Sequence, residues 1–300
     1  MSKPPSNSTS GILLVDKPQG LTSHDVVSRV RKLVGTRKVG HAGTLDPMAT
    51  GLLLLGVNTS TRLLTWIVGL DKQYTATIRL GAASTTDDAE GDIAERADAA
   101  ALAAVTDDAI AAGVARLTGP ISQRPSSVSA IKVDGKRAYA RVREGEEVVL
   151  AERPVTISAF DVLSTTRGDW IDLEVCVQCS SGTYIRALAR DLGEFLGVGG
   201  HLTVLRRTRI GPFAVTDSVA LEEGIAERML APADVARTLF PVVELTTDEA
   251  ADLANGKRID VAAQGGPIAA IAPDGRLVGL IEAVGSRARI LVNFPQEQQE

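Results

Sequence analysis

The run Pro47-Met-Ala-Thr-Gly-Leu-Leu-Leu-Leu-Gly56 constrains this chain more than any other stretch. It is apolar enough to demand burial, and it is entered through a glycine-punctuated turn, Val39-Gly-His-Ala-Gly-Thr-Leu-Asp46, that carries one acid. A turn of that composition holds a side chain still. Taken alone, Asp46 followed by Pro47 is what a helix N-terminus asks for. Asp caps free N–H groups, and Pro at the first helical position forfeits nothing. The expectation is a helix cap at Asp46, with Gly40, His41, Gly43 and Thr44 placing small and polar groups where a ligand backbone could come close.

The 300 residues suffice for a substantial core in one to three domains. No apolar run reaches the ~18 residues of a membrane span, and no membrane partner is expected. Residues 1–10, Met-Ser-Lys-Pro-Pro-Ser-Asn-Ser-Thr-Ser, read as a disordered tail rather than a signal peptide, so a cytoplasmic location is expected. The net charge of −5 argues weakly against a nucleic-acid partner. Distribution counts for more: cations cluster at Arg29, Arg31, Lys32, Arg37 and Lys38, along Lys132 to Arg143, and at Arg206, Arg207 and Arg209. One basic face on an acidic protein is compatible with RNA.

The pair Cys176 and Cys179 sits in an alternating, strand-like stretch where positions three apart point to opposite faces. A redox pair or a zinc site is therefore not expected, and no metal or cofactor is. The Gly197-Val-Gly-Gly200 stretch lacks the spacing and setting of a dinucleotide fingerprint, and residues 84–92 lack EF-hand spacing.

Along the chain, residues 11–17 form a short strand stopped at Lys17-Pro18. Thr22 and Asp25 form a capping-box variant for a helix carrying Val26, Val27, Val30, Leu33 and Val34 to Gly35. Residues 72–81 alternate as a strand with Tyr74 facing inward. Residues 97–118 read as helical, and 122–150 as a mobile basic excursion. A strand-like reading of 181–186 puts Tyr184 and Arg186 on one face, ahead of a helix from 187 to 196. The stretch from Ala231-Pro232 to Phe240-Pro241 is the best boundary, followed by a small, mostly β module over 240–300 with a turn at Pro273-Asp274-Gly275. Without regular βα alternation, the class is α+β with a mixed, largely antiparallel sheet flanked by helices.

At this point the motifs carry a resemblance. Asp16-Lys-Pro-Gln-Gly-Leu-Thr-Ser23, Gly40-His-Ala-Gly-Thr-Leu-Asp-Pro-Met-Ala-Thr-Gly51, Lys72-Gln-Tyr-Thr-Ala76, Asp88-Ala-Glu-Gly91, Ser129-Ala-Ile-Lys132 and Ser181-Gly-Thr-Tyr-Ile-Arg186 follow one another collinearly. Over roughly 11–215 the chain resembles the bacterial tRNA pseudouridine-55 synthases of the TruB type. The resemblance implies a catalytic domain over 11–235, a PUA-like RNA-binding module at 240–300, and isomerisation of a T-loop uridine without cofactor or metal. It implies Asp46 as the catalytic aspartate, Arg186 as its ion-pair partner, and Tyr74 as a catalytic residue that stacks on the base and helps remove the C5 proton. Asp88 would brace Arg186, Tyr184 and Leu205 would line the base pocket, and His41 would fill the space left by the flipped uridine. Lys17, Lys132, Arg206 and Arg207 are expected RNA contacts, the partner is the tRNA T-arm, and a monomer without an obligate protein partner is expected. Whether Asp46 attacks C1′ or C6, or removes a sugar proton, stays open. So do two alternatives: a tRNA-binding folding protein with secondary catalysis, or a synthase acting on another RNA. Gln123-Arg-Pro-Ser-Ser-Val128 departs from the family's paired prolines and aromatic.

Overall fold

The computed structural model describes residues 9–126 and 150–295, with the backbone of two short strands at 132–133 and 136–137. Strand β1 (Gly11–Lys17) leads into helix α1 (Ser23–Val34). The helix start is fixed reciprocally: Thr22 Oγ1 accepts the Asp25 N–H at 3.0 Å, and the Asp25 carboxylate accepts the Thr22 N–H at 2.9 Å. Gly35, left-handed at φ 73°, ends it. The four valines are buried, but Leu33, grouped with them by spacing, is 36% exposed.

Strands β2 (Val39–His41) and β3 (Thr50–Val57) flank the Asp46 turn. The helix expected to begin at Asp46 is not there. The Ala49 N–H donates to the Asp46 carbonyl at 3.1 Å, closing a tight turn that delivers the chain into β3. The physical reason is two-sided burial. Leu53 and Leu55 pack with Leu13, Val15 and the α1 valines, whereas Leu52 and Leu54 pack with Ile12, Leu14 and the C-terminal module. A strand covered on both faces reads as an unbroken apolar run, so its sequence shows no alternation.

A 3₁₀ turn and α2 (Leu64–Val68) precede β4 (Lys72–Leu80). The alanine-rich stretch is two helices, α3 (Ala99–Ala104) and α4 (Asp107–Arg116); Thr106 caps the second by accepting the Ala109 N–H at 3.1 Å. Then come β5 (Gly119–Gln123), the two-residue strands β6 (Lys132–Val133) and β7 (Lys136–Arg137), β8 (Arg153–Arg167) and β9 (Ile171–Cys179). Apart from those two strands, the basic excursion lies mostly outside the described residues. Cys179 is buried and Cys176 half-buried; both are free thiols on β9.

Helix α5 (Ile185–Phe195), β10 (Gly200–Ile210) and β11 (Phe213–Ala214) complete this part. Among the described residues the main sheet runs β1-β3-β10-β4-β9-β8-β5, with β2 added to β3 and β11 to β10. Every pairing in it is antiparallel except β3 with β10, which agrees with the expected mixed, largely antiparallel α+β sheet. Gly193 lets α5 lie on the start of β10: a Cβ there would stand 2.2 Å from backbone atoms of Gly199 and Gly200.

Beyond Ala231 lie α6 (Pro232–Leu239), β12 (Val242–Glu244), α7 (Thr247–Ala254), β13 (Gly265–Ile271), β14 (Leu277–Val284) and β15 (Arg287–Asn293). These four strands form a second sheet in chain order, with the expected turn at 273–275 closed by the Gly275 N–H on the Ala272 carbonyl at 2.8 Å. This module shares a core with the rest: Ile12, Leu52 and Leu54 are in one apolar cluster with Ala236, Ile271 and Leu280.

Candidate active site

The Asp46 turn is held from three sides. Ser23, at the first turn of α1, accepts the Leu45 N–H at 2.8 Å and donates its hydroxyl to the Leu45 carbonyl at 3.1 Å. Lys17, fully buried at the end of β1, gives its ammonium to the carbonyls of Leu21 (2.6 Å), Pro18 (3.0 Å) and Pro47 (3.3 Å). Arg207, 1% exposed on β10, donates Nε to Leu52 O at 2.8 Å, Nη2 to Gly43 O at 3.1 Å and Nη1 to Thr44 O at 3.4 Å. Lys17 and Arg207, both expected as RNA contacts, are buried and donate to backbone carbonyls of the protein.

Arg186 reaches the turn from α5. The strand reading of 181–186 is corrected: Gly182 at φ 87° breaks the chain out of β9, Tyr184 stands at the helix N-cap position, and Arg186 is the second helical residue. Arg186 is 3% exposed and lies between two acids, with Nε 3.0 Å from Asp46 Oδ2 and Nη1 3.3 Å from Asp88 Oδ2. Its Nη1 also donates to Thr86 O at 2.7 Å. Asp88 is itself held, accepting the Thr86 hydroxyl at 2.6 Å and the Glu90 N–H at 3.0 Å.

The Asp46 side chain keeps 35% exposure, directed into a cavity of about 280 Å³. Tyr74 (8% exposed), Tyr184, Arg186 and Leu205 (6%) form its walls, together with Lys72, Arg207, Thr44 and the 180–183 loop. Desolvation by these walls pushes the Asp46 carboxyl above the usual carboxylate range; Arg186 pulls it back and Asp88 pushes it further up. Burial likewise raises the Tyr74 phenol, against the lowering influence of Arg207. A cavity of this size fits a small planar ligand.

Three matches cover the chain almost end to end. Residues 31–185 match the model described as TruB family pseudouridylate synthase (N terminal domain), 186–243 that of the tRNA pseudouridylate synthase B C-terminal domain, and 240–295 that of tRNA Pseudouridine synthase II, C terminal. The chain belongs to the TruB family of pseudouridylate synthases. It is similar to the tRNA pseudouridine synthase B of Leifsonia xyli subsp. xyli, 64% identical over 96% of this chain and 98% of that one. The corresponding protein of Paenarthrobacter aurescens is 58% identical over 95% of each. Among solved structures, the fold resembles a chain of an H/ACA RNP bound to a substrate RNA containing 2'-deoxyuridine (TM-score 0.70, 24% identity, 96% of this chain and 86% of that one). A chain of a Cbf5-Nop10-Gar1 complex superposes equally well, with 25% identity over 97% and 85%.

In this TruB-family synthase the fold brings Asp46, Tyr74, Tyr184, Arg186 and Leu205 around one cavity, with Asp88 behind Arg186. His41 is half-buried on β2, outside the cavity walls. Arg206 alternates with Arg207 along β10, 36% exposed at its side chain and paired to both carboxylate oxygens of Asp16 at 2.9 and 2.7 Å. Lys132 lies outside the residues whose side chains are described. Sequence reasoning missed the role of Gln123, which clamps Tyr184: its Nε2 donates to Tyr184 O at 3.0 Å and its Oε1 accepts the Tyr184 N–H at 2.8 Å. A glutamine ending a strand carries no such signal. Missed too was Lys72 as a cavity wall, although the strand period places it on the face of Tyr74. No group of three His, Cys, Asp or Glu that could hold a metal occurs among the described residues.

Proposed function

We propose that this synthase converts uridine 55 in the T loop of tRNA to pseudouridine, with Asp46 as the reacting carboxylate. The observation that carries the reading is Asp46 facing the cavity while Arg186 holds it at 3.0 Å. The names of the 64% and 58% identical relatives support tRNA as the substrate. The reaction breaks the N1–C1′ bond, turns the uracil and rejoins it through C5; C5 loses a proton and N1 gains one, so substrate and product are isomers. No water takes part, and a closed pocket that retains the detached base matters as much as the acid.

The target is flipped from its loop into the cavity, where Tyr74 stacks on the base and Tyr184 and Leu205 close around it. Asp46 acts as the anion, and Arg186 keeps it ionised against the desolvation that raises its pKa. Arg206 and the cations of α1 and its following loop are the proposed backbone contacts, and the enzyme works as a monomer in the cytoplasm.

The test is release of C5 tritium from a labelled T-arm stem-loop. Asp46→Asn is expected to lose release by orders of magnitude while binding the stem-loop about as well as wild type. Release retained by this variant would sink the assignment of Asp46, and wild-type release from other RNAs but not from the T-arm would redirect the substrate.

A further inference from the structure

Two further cations, Lys72 and Arg207, line the cavity beside Arg186. Lys72 is 6% exposed and Arg207 1%, and both form cavity wall. They flank Tyr74: Lys72 precedes it by two residues on the same face of β4, and Arg207 lies directly opposite it across the β4–β10 pairing. Lys72 gives its ammonium to the carbonyls of Val68 and Leu70, both at 2.6 Å, and Arg207 donates to Leu52, Gly43 and Thr44. Among the described residues neither forms an ion pair. The nearby acids are committed elsewhere, Asp71 to Arg209 at 2.8 Å and Asp46 to Arg186.

Burying two charges side by side without a carboxylate is costly, and neutral donors would satisfy the same carbonyls. The strain is visible in Lys72, whose pKa falls to about 8 through burial and the neighbouring Arg207, against the weaker opposing pull of Cys179 and Asp71. Buried positive charge without a carboxylate, beside the residue proposed to stack on uracil, calls for an anion that arrives only with the reaction.

We propose that Lys72 and Arg207 form a cationic floor that stabilises the negative charge the uracil carries while its N1–C1′ bond is open. The inference rests on the proposed function but not on a particular route. Whether Asp46 attacks C1′, adds at C6 or removes a sugar proton, the electron pair of the breaking bond, or of the C5–C6 double bond after addition, spreads onto the uracil carbonyl oxygens. It returns to carbon when C5 bonds to C1′, and the C5 proton then leaves. Charge fixed in advance where a transition-state anion develops is among the strongest catalytic effects.

The experiment compares uridine with 5-fluorouridine at the target position of a T-arm stem-loop. Fluorine makes the departing base a weaker base and so less dependent on outside stabilisation. Single-turnover rate constants under saturating enzyme are read as loss of the N-linked nucleoside after digestion, which makes them independent of the active fraction. Lys72→Gln keeps a donor for Val68 and Leu70 but removes the charge. It is expected to slow the uridine substrate about a hundredfold, the scale of losing one charge-stabilising donor, and the fluorinated one at least tenfold less. Equal slowing on both substrates would overturn the floor and leave Lys72 a purely structural donor. Should Lys72→Gln fail to fold, Arg207→Met is read by the same ratio, in which loss of its loop contacts cancels. Failure of the wild type to convert uridine would instead strike the proposed function.

Discussion

Arg186 is the residue on which the site's electrostatics turn. It is buried between Asp46 and Asp88, and a buried charge stripped of its partner costs about 3–5 kcal/mol. Arg186→Met is therefore expected to lower unfolding free energy by roughly 3 kcal/mol in urea titrations, most of it through the orphaned Asp88. The pH dependence follows with its sign. Asp46 works ionised, and its pKa lies above the ordinary carboxylate value, so kcat/KM should fall as pH drops through that raised pKa. Arg186 is what holds the value down, so in a folded Arg186→Gln protein the acid limb should move to higher pH. A limb that stayed in place would mean another group titrates there.

At the scale of elements, the Asp46 loop leads into β3 and is clamped by α1, β1 and β10, one side chain from each. Ser23→Ala leaves the Leu45 N–H without its acceptor in a buried place, an expected loss of about 1–3 kcal/mol by denaturant titration. Activity should drop beyond what the loss of folded protein explains, because Leu45 adjoins Asp46. Gly51 is the harder constraint. Its φ is 99°, and a Cβ would stand 2.3 Å from the Arg207 carbonyl oxygen, where β3 and β10 run side by side. Gly51→Ala should prevent accumulation of folded protein or displace the Arg207 clamp. A stable, fully active variant would show that this junction does not position the turn.

On the scale of the whole molecule, the C-terminal module and the catalytic sheet stand or fall together, since β3 is covered by α1 on one face and by this module on the other. Leu280→Ala should cost about 2–5 kcal/mol. The fluorescence of Trp66, which packs edge-on against Phe240, should then change in one transition with far-UV ellipticity. Two separate transitions would mean the modules unfold independently. Long-range charge makes a further distinction. Arg206→Ala should reduce the salt slope of T-arm binding by about 1, whereas a substitution at Arg207, which is buried, should leave that slope unchanged.

Much of this was legible in order along the chain. The capping box at Thr22, the inward Tyr74, the largely antiparallel α+β class and the motifs around Asp46, Asp88 and Arg186 follow from local periodicity or from patterns a sequence displays directly. The sequence alone determined which residue types are present and, where apolar and polar residues alternate as in β4, which of them share a face. It could not say that Asp46-Pro47 opens a strand rather than a helix, because that depends on α1 and the C-terminal module covering both faces of the leucine run. Nor could it tell Arg206 from Arg207: adjacent in the chain and identical in chemistry, they point to opposite faces of β10, one to Asp16 near solvent and one into the protein under Tyr74. Tertiary structure decided that difference, since burial and the carbonyls within reach are properties of neighbours far away in sequence.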